Sequence, residues 1–140
     1  MPSAVLIDDD LLLDVLSGTA IQEVGATVVT TGCWYYRLAR ALHSSEVTGR
    51  LSRSLSSLEP VRQAQVLDAL DDLPSGIHIL SWRVLVPTMR KIEPSLRLNL
   101  LATEALATAA ILDASIRVRT NAPNLEHACA QYGIDYGVVE

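Results

Sequence analysis

The sequence predicts an α/β fold: one domain over residues 1–140, with a mainly parallel central sheet of four or five strands and helices on both faces. Short aliphatic and β-branched runs alternate with longer stretches of helical periodicity, the pattern of strands joined by helical crossovers. The 140 residues are 49% hydrophobic yet contain no Phe. The core must therefore be assembled from Leu, Val, Ile and Ala, which suits helices packed on a small sheet.

The first strand is expected at residues 4–7, Ala-Val-Leu-Ile, apolar enough to be buried on both faces. Asp8, Asp9 and Asp10 follow, and Leu11, Leu12, Leu13, Val15 and Leu16 then return at helical spacing. Asp8 suits the N-cap of this helix, and Asp9 and Asp10 suit its first turn, where the helix dipole favours negative charge. A carboxylate at the C-terminal edge of a parallel strand also sits where open α/β sheets place their ligands. Burial by itself asks for no run of three acids.

After a stop at Ser17-Gly18, residues 19–25 read as a short amphipathic piece and residues 26–30 as a second strand. A helix is expected over 33–43, with Tyr35, Leu38, Ala39 and Leu42 on one face. Its Trp34, Tyr35 and Tyr36 sit with Arg37 and Arg40, a mixture suited to stacking bases and contacting phosphates, but in a chain otherwise poor in aromatics the cluster reads first as a core anchor or a dimer face. Residues 43–57, rich in Ser, Gly and Arg, read as a mobile surface connection. The next helix runs from about Pro60 to Leu70, capped by Ser57 or Leu58, and Leu73-Pro74-Ser75-Gly76 ends it.

Residues 77–80 alternate as a third strand, with His78 a structural residue. Ser81 caps a helix over 82–92 that Pro87 should kink or restart. Pro94-Ser95 opens a helix over about 96–112, apolar around much of its circumference and so the central buried helix. Its Asn99, Thr103, Glu104 and Thr108 are informative, because a buried carboxylate needs a charge partner or a metal. Residues 115–120 read as a fourth strand. A last helix follows Thr120-Asn121-Ala122-Pro123-Asn124-Leu125, and residues 134–139 close the sheet.

The net charge of −5, with eleven scattered Lys and Arg, excludes a general electrostatic footprint for nucleic acid. Local groups such as Arg37/Arg40, Arg50/Arg53 and Arg90/Lys91 leave room for a local patch. Cys33 and Cys129 fit neither a metal spacing nor a disulfide framework and read as small buried residues. Met1-Pro2-Ser3 offers no basic leader and no apolar run reaches membrane-spanning length, so a soluble cytoplasmic protein with no membrane partner is expected. Gly-rich phosphate loops, Ser-His-Asp signatures and zinc spacings are missing, which leaves the acidic cluster as the chemical lead.

Ile7 to Leu16, Ile-Asp-Asp-Asp-Leu-Leu-Leu-Asp-Val-Leu, resembles the N-terminal signature of PIN-domain nucleases: hydrophobic, Asp, Thr, Asn, hydrophobic, Leu, Leu, Asp, Leu, Leu. Leu100 to Leu106 resembles the latter part of that family's third-acid pattern, and Thr120 to Leu125 resembles its strand-end pattern. In element order the resemblance covers nearly the whole chain. It implies a PIN-like three-layer fold and a toxin-type ribonuclease. Asp8, Asp10 and Glu104 would be catalytic and hold Mg²⁺ or Mn²⁺, the metal activating water against an RNA phosphodiester. Arg37, Asn99, Thr120 and Asn121 would bind substrate or position water. The implied partners are RNA and an antitoxin-like protein; the Trp34-Tyr35-Tyr36 cluster and the abundant Leu and Val, more than one small sheet needs, add the expectation of a two-fold homodimer.

The chain departs from this pattern in ways that matter. Residues 33–42 contain no Glu or Asp, although the family places its second acid there, and Arg37 stands in that slot. The third Asp would fall on Leu98 or Asn99, and the strand-end Asp slot holds Ala122. Arg37 is therefore expected to approach Asp8 or Glu104 as a counter-charge. The alternative is a non-catalytic PIN-like interaction module in which Arg37 replaces the metal.

Overall fold

A computed structural model describes residues 3–19, 25–43 and 49–140. Strands β1 (Ala4–Ile7), β2 (Thr27–Thr30), β3 (Ile77–Ile79), β4 (Ser115–Val118) and β5 (Tyr136–Val138) form one sheet in the order β3-β2-β1-β4-β5. Every pairing is parallel, and central β1 sets Val5 beside Val28 on one side and Ser115 on the other. Around the sheet lie α1 (Asp9–Leu16), α2 (Gly32–Leu42), α3 (Arg50–Ser56), α4 (Pro60–Asp71), α5 (Trp82–Lys91), α6 (Leu100–Leu112) and α7 (Pro123–Gln131). The expected α/β class is thus observed, and it is consistent with a PIN-like three-layer fold. Among the described residues no helix is long and apolar enough to cross a membrane.

Side-chain alternation along the strands divides the core in two. Leu6 and Val29 join Ala105, Leu106, Leu125 and Cys129 of α6 and α7 on one face. Val5 and Ile7 join Leu12, Leu38, Leu55 and Val66 of α1 to α4 on the other. The chain winds from β1 outward to β2 and β3, then crosses back to β4 and β5 on the far side of β1. That reversal opens a crevice at the C-terminal ends of β1 and β4, the place where parallel sheets bind ligands.

Several sequence expectations change in detail. The connection expected over 43–57 contains α3, because Leu51 and Leu55 share a helical face and bury against the core, and that burial outweighs the Ser- and Arg-rich composition. Residues 44–48, and residues 20–24 of the piece expected over 19–25, lie outside the described residues. The N-cap of α4 is Glu59, with no side-chain cap bond, rather than Ser57 or Leu58. Helix α5 continues through Pro87 without a break. Pro87 and Arg83 are both exposed, so the carbonyl that loses its helical donor has water within reach.

The long helix expected over 96–112 is split. Pro94–Leu96 is a single 3₁₀ turn, Arg97 takes a left-handed backbone, and α6 begins afresh with Asn99 as its N-cap. The strand expected over 115–120 ends at Val118, because the Arg119 N–H leaves the ladder to donate to the Asp8 carboxylate. The aromatic trio also divides. Trp34 is buried in the core, Tyr35 is half-buried and donates its hydroxyl to the Leu70 carbonyl, and Tyr36 is exposed.

Candidate functional site

Asp8 is the residue after β1, and its extended backbone begins α1 as the N-cap. One carboxylate oxygen accepts from Leu11 N at 3.0 Å and the other from Arg119 N at 2.9 Å, beyond the end of β4. The side chain therefore bridges the two central strands at the switch point. Asp9 and Asp10 follow in the first turn of α1, where the unpaired N–H groups stabilise negative charge.

All three side chains are buried, Asp9 completely, and their carboxylate oxygens lie within 4.8 Å of one another. Burial pushes the Asp8 carboxyl up to about 6, with the charges of Asp9 and Asp10 adding to the rise and the Leu11 and Arg119 N–H groups opposing it. Hard oxygen donors so close together suit Mg²⁺ or Mn²⁺, which prefer carboxylates and keep part of their water shell.

Two cations of the chain already face this cluster. Arg37 on α2 donates from Nε to Asp9 at 2.5 Å. Arg50, the first residue of α3, grips Asp10 with two donors, Nε at 3.0 Å and Nη2 at 2.8 Å. Their hydrogen bonds to Asp9 and Asp10 hold both guanidinium pKa values above the ordinary arginine value. Asp10 also accepts from the Thr120 hydroxyl at 3.2 Å.

The expectation that Arg37 approaches Asp8 or Glu104 is corrected: it pairs with Asp9. Each oxygen of Asp8 accepts from one backbone N–H, which orients the carboxylate and leaves a second lone pair on each oxygen. The oxygens of Glu104 accept from Cys33 N at 2.9 Å and Trp82 Nε1 at 2.6 Å. Glu104 is fully buried and ties α6 to the first turn of α2 and to α5. It is not among the residues whose carboxylate oxygens cluster at the end of β1. Burial, with the neighbouring Glu104 carboxylate, pushes the Cys33 thiol up to about 11.

A cleft of about 730 Å³ opens beside the cluster, and its walls include Asp8, Arg37, Arg50, Asn99, Thr120 and Asn121. Asn99 accepts from Ala102 N as the cap of α6, and Asn121 accepts from the Tyr136 hydroxyl at 2.9 Å. Of the residues singled out in the sequence, Asp8, Asp10, Arg37, Asn99, Thr120 and Asn121 converge on this region, and Glu104 stands apart from it. Sequence reasoning missed Asp9 as a member of the cluster, and it missed Arg50 and Arg97 on the cleft wall. The Asp triplet held a signal for Asp9. The sequence marks Arg50 only as part of a local basic pair with Arg53, since its segment lacks a visible helical pattern. Comparison with known protein families and with curated proteins finds no match to this chain.

Proposed function

We propose that the protein is a PIN-like, divalent-metal-dependent ribonuclease of toxin type with an incomplete acidic centre. The observation that carries this reading is the buried Asp8-Asp9-Asp10 cluster at the switch point of a parallel sheet, opening onto a ligand-sized cleft. Three buried carboxylates without function are costly, because each must be desolvated and each raises its neighbours' ionisation free energy. Asp8 and Asp10 would hold Mg²⁺ or Mn²⁺, with Asp9 beside them. The bound ion would supply Lewis-acid stabilisation of phosphoryl charge and acidify water.

The chain's own groups do the positioning. Leu11 N and Arg119 N fix the Asp8 carboxylate, and the Thr120 hydroxyl steadies Asp10. Arg37 and Arg50, both half exposed, supply cations at the mouth of the cleft for a phosphodiester. Because each is paired with an aspartate, a metal must compete with them, and weak metal affinity follows. The reading carries with it an antitoxin-like protein as a further partner; a two-fold homodimer is proposed separately, from the aromatic and apolar content of the chain.

The pairs Arg37–Asp9 and Arg50–Asp10 favour a second reading, in which guanidinium groups replace the metal and the cleft serves a non-catalytic interaction module. Calorimetric titration with Mn²⁺, together with cleavage of single-stranded RNA, separates the two. The enzyme reading expects saturable Mn²⁺ binding and Mn²⁺-dependent cleavage, both lost in Asp8→Asn. A wild type that takes up no Mn²⁺ at millimolar concentration and leaves RNA intact sinks it in favour of the second.

A further inference from the structure

We propose that Arg97, on the wall of the cleft, is a phosphate-binding residue that receives a backbone phosphate of single-stranded RNA. The inference rests on the ribonuclease reading for the identity of the ligand. It stands on a different set of residues.

Among the described residues three arginines line the cleft. Arg37 and Arg50 are matched to Asp9 and Asp10. Among the described residues Arg97 makes no ion pair and its side chain makes no hydrogen bond, and it is exposed on the cleft wall. An unpaired guanidinium presents a planar fork of N–H donors that matches the two non-bridging oxygens of a phosphodiester.

The backbone of Arg97 is equally telling. Its φ of 53° and ψ of 42° lie in the left-handed region, which disfavours residues with a Cβ and is normally filled by Gly or Asn. The conformation is held by its surroundings: Leu96 N bonds to Glu93 O, Arg97 N bonds to Pro94 O, and the Leu96 side chain is buried. Glycine would satisfy this turn with less strain. Retaining a long cation here presents it from a fixed turn immediately before α6, and strained residues at a cleft are a recurrent mark of ligand contact.

The neighbouring amides have the matching polarity. The side-chain oxygens of Asn99 and Asn121 are already occupied, as acceptors from Ala102 N and the Tyr136 hydroxyl. Their NH₂ groups remain as donors. Arg97 and these amides therefore bring a cation and neutral donors, the chemistry of an anion site, to the wall of a cleft that also borders Asp8. One cleft can then hold successive positions of a polynucleotide, a phosphate at Arg97 and the reacting one near the acids.

The test is fluorescence anisotropy of a labelled single-stranded RNA 12-mer without divalent metal, over a salt series, using wild type, Arg97→Gln, Arg97→Gly and Asp8→Asn. Both Arg97 variants should bind about tenfold more weakly, and the slope of log K against log salt should fall in magnitude by about 0.7, one phosphate contact. Arg97→Gly should melt at or above the wild-type Tm, which separates lost contact from lost fold. Mn²⁺ binding should be unchanged in both. Arg97 variants with wild-type affinity and slope overturn the proposal whether or not the Mn²⁺ centre stands. A wild type that binds poly-glutamate but not RNA also overturns it. If the Arg97 effects appear while Asp8→Asn leaves Mn²⁺ binding untouched, the metal reading fails and the phosphate contact stands.

Discussion

Replacing Asp8 with Asn should change how stability depends on pH, by an amount that follows from the burial of this carboxyl. Asp8 titrates near 6 in the fold, against 3.8 in the unfolded chain, chiefly because burial disfavours its charged form. The folded state therefore binds more protons than the unfolded state between those two values, and stability must fall as pH rises through that window. Below it both states are protonated and the penalty is absent. Above it both are ionised and the penalty is complete, about 3 kcal/mol.

Asparagine keeps the cap on α1, since its amide oxygen can accept from Leu11 N as Asp8 does. It cannot also accept from Arg119 N, so the variant carries a constant loss, but that loss does not titrate. Urea unfolding of both proteins at about pH 4.5 and pH 7.5 isolates the slope. The wild type should lose about 2 kcal/mol relative to Asp8→Asn across this range. NMR titration of the Asp8 side-chain carboxyl should place its midpoint near 6. Parallel stability curves for the two proteins, or a midpoint in the ordinary carboxylate range, would refute the electrostatic account of the cluster.

Arg37→Gln should destabilise the fold by about 2 kcal/mol, a value reduced from that of a fully buried pair because the guanidinium is half exposed; Mn²⁺ should restore more Tm to this variant than it adds to wild type, read by thermal unfolding with and without the ion. Arg37→Glu should bind Mn²⁺ more tightly than wild type in calorimetry, because it adds an oxygen ligand and removes a competing cation. Glu104→Gln loses one of two acceptors at a buried position and should cost about 1–2 kcal/mol in urea unfolding, with a change in Trp82 fluorescence. Asp113→Gly at the left-handed C-cap of α6, where φ is 52°, should raise stability by roughly 0.5–1 kcal/mol.

What the sequence by itself determined is local. Alternation of short aliphatic runs with helical periodicity specified the class, the strand positions and the burial of α6. The Asp triplet after an apolar strand marked the site, because strand-end position and cap preference are written in adjacent residues. What only the tertiary structure decided is pairing at long range. Whether Arg37 meets Asp8, Asp9 or Glu104 depends on how the helices pack and on the donors that orient the Asp8 and Glu104 carboxylates, and those donors, Arg119 N, Cys33 N and Trp82 Nε1, come from distant segments. Arg50 reaches Asp10 because α3 folds, and α3 folds because Leu51 and Leu55 find a buried face that a Ser- and Arg-rich segment does not advertise. The break at Arg97 is decided in the same way: the Leu96 side chain and the Asn99 cap fix the turn from both sides, and together they override a helical pattern that is continuous in the sequence.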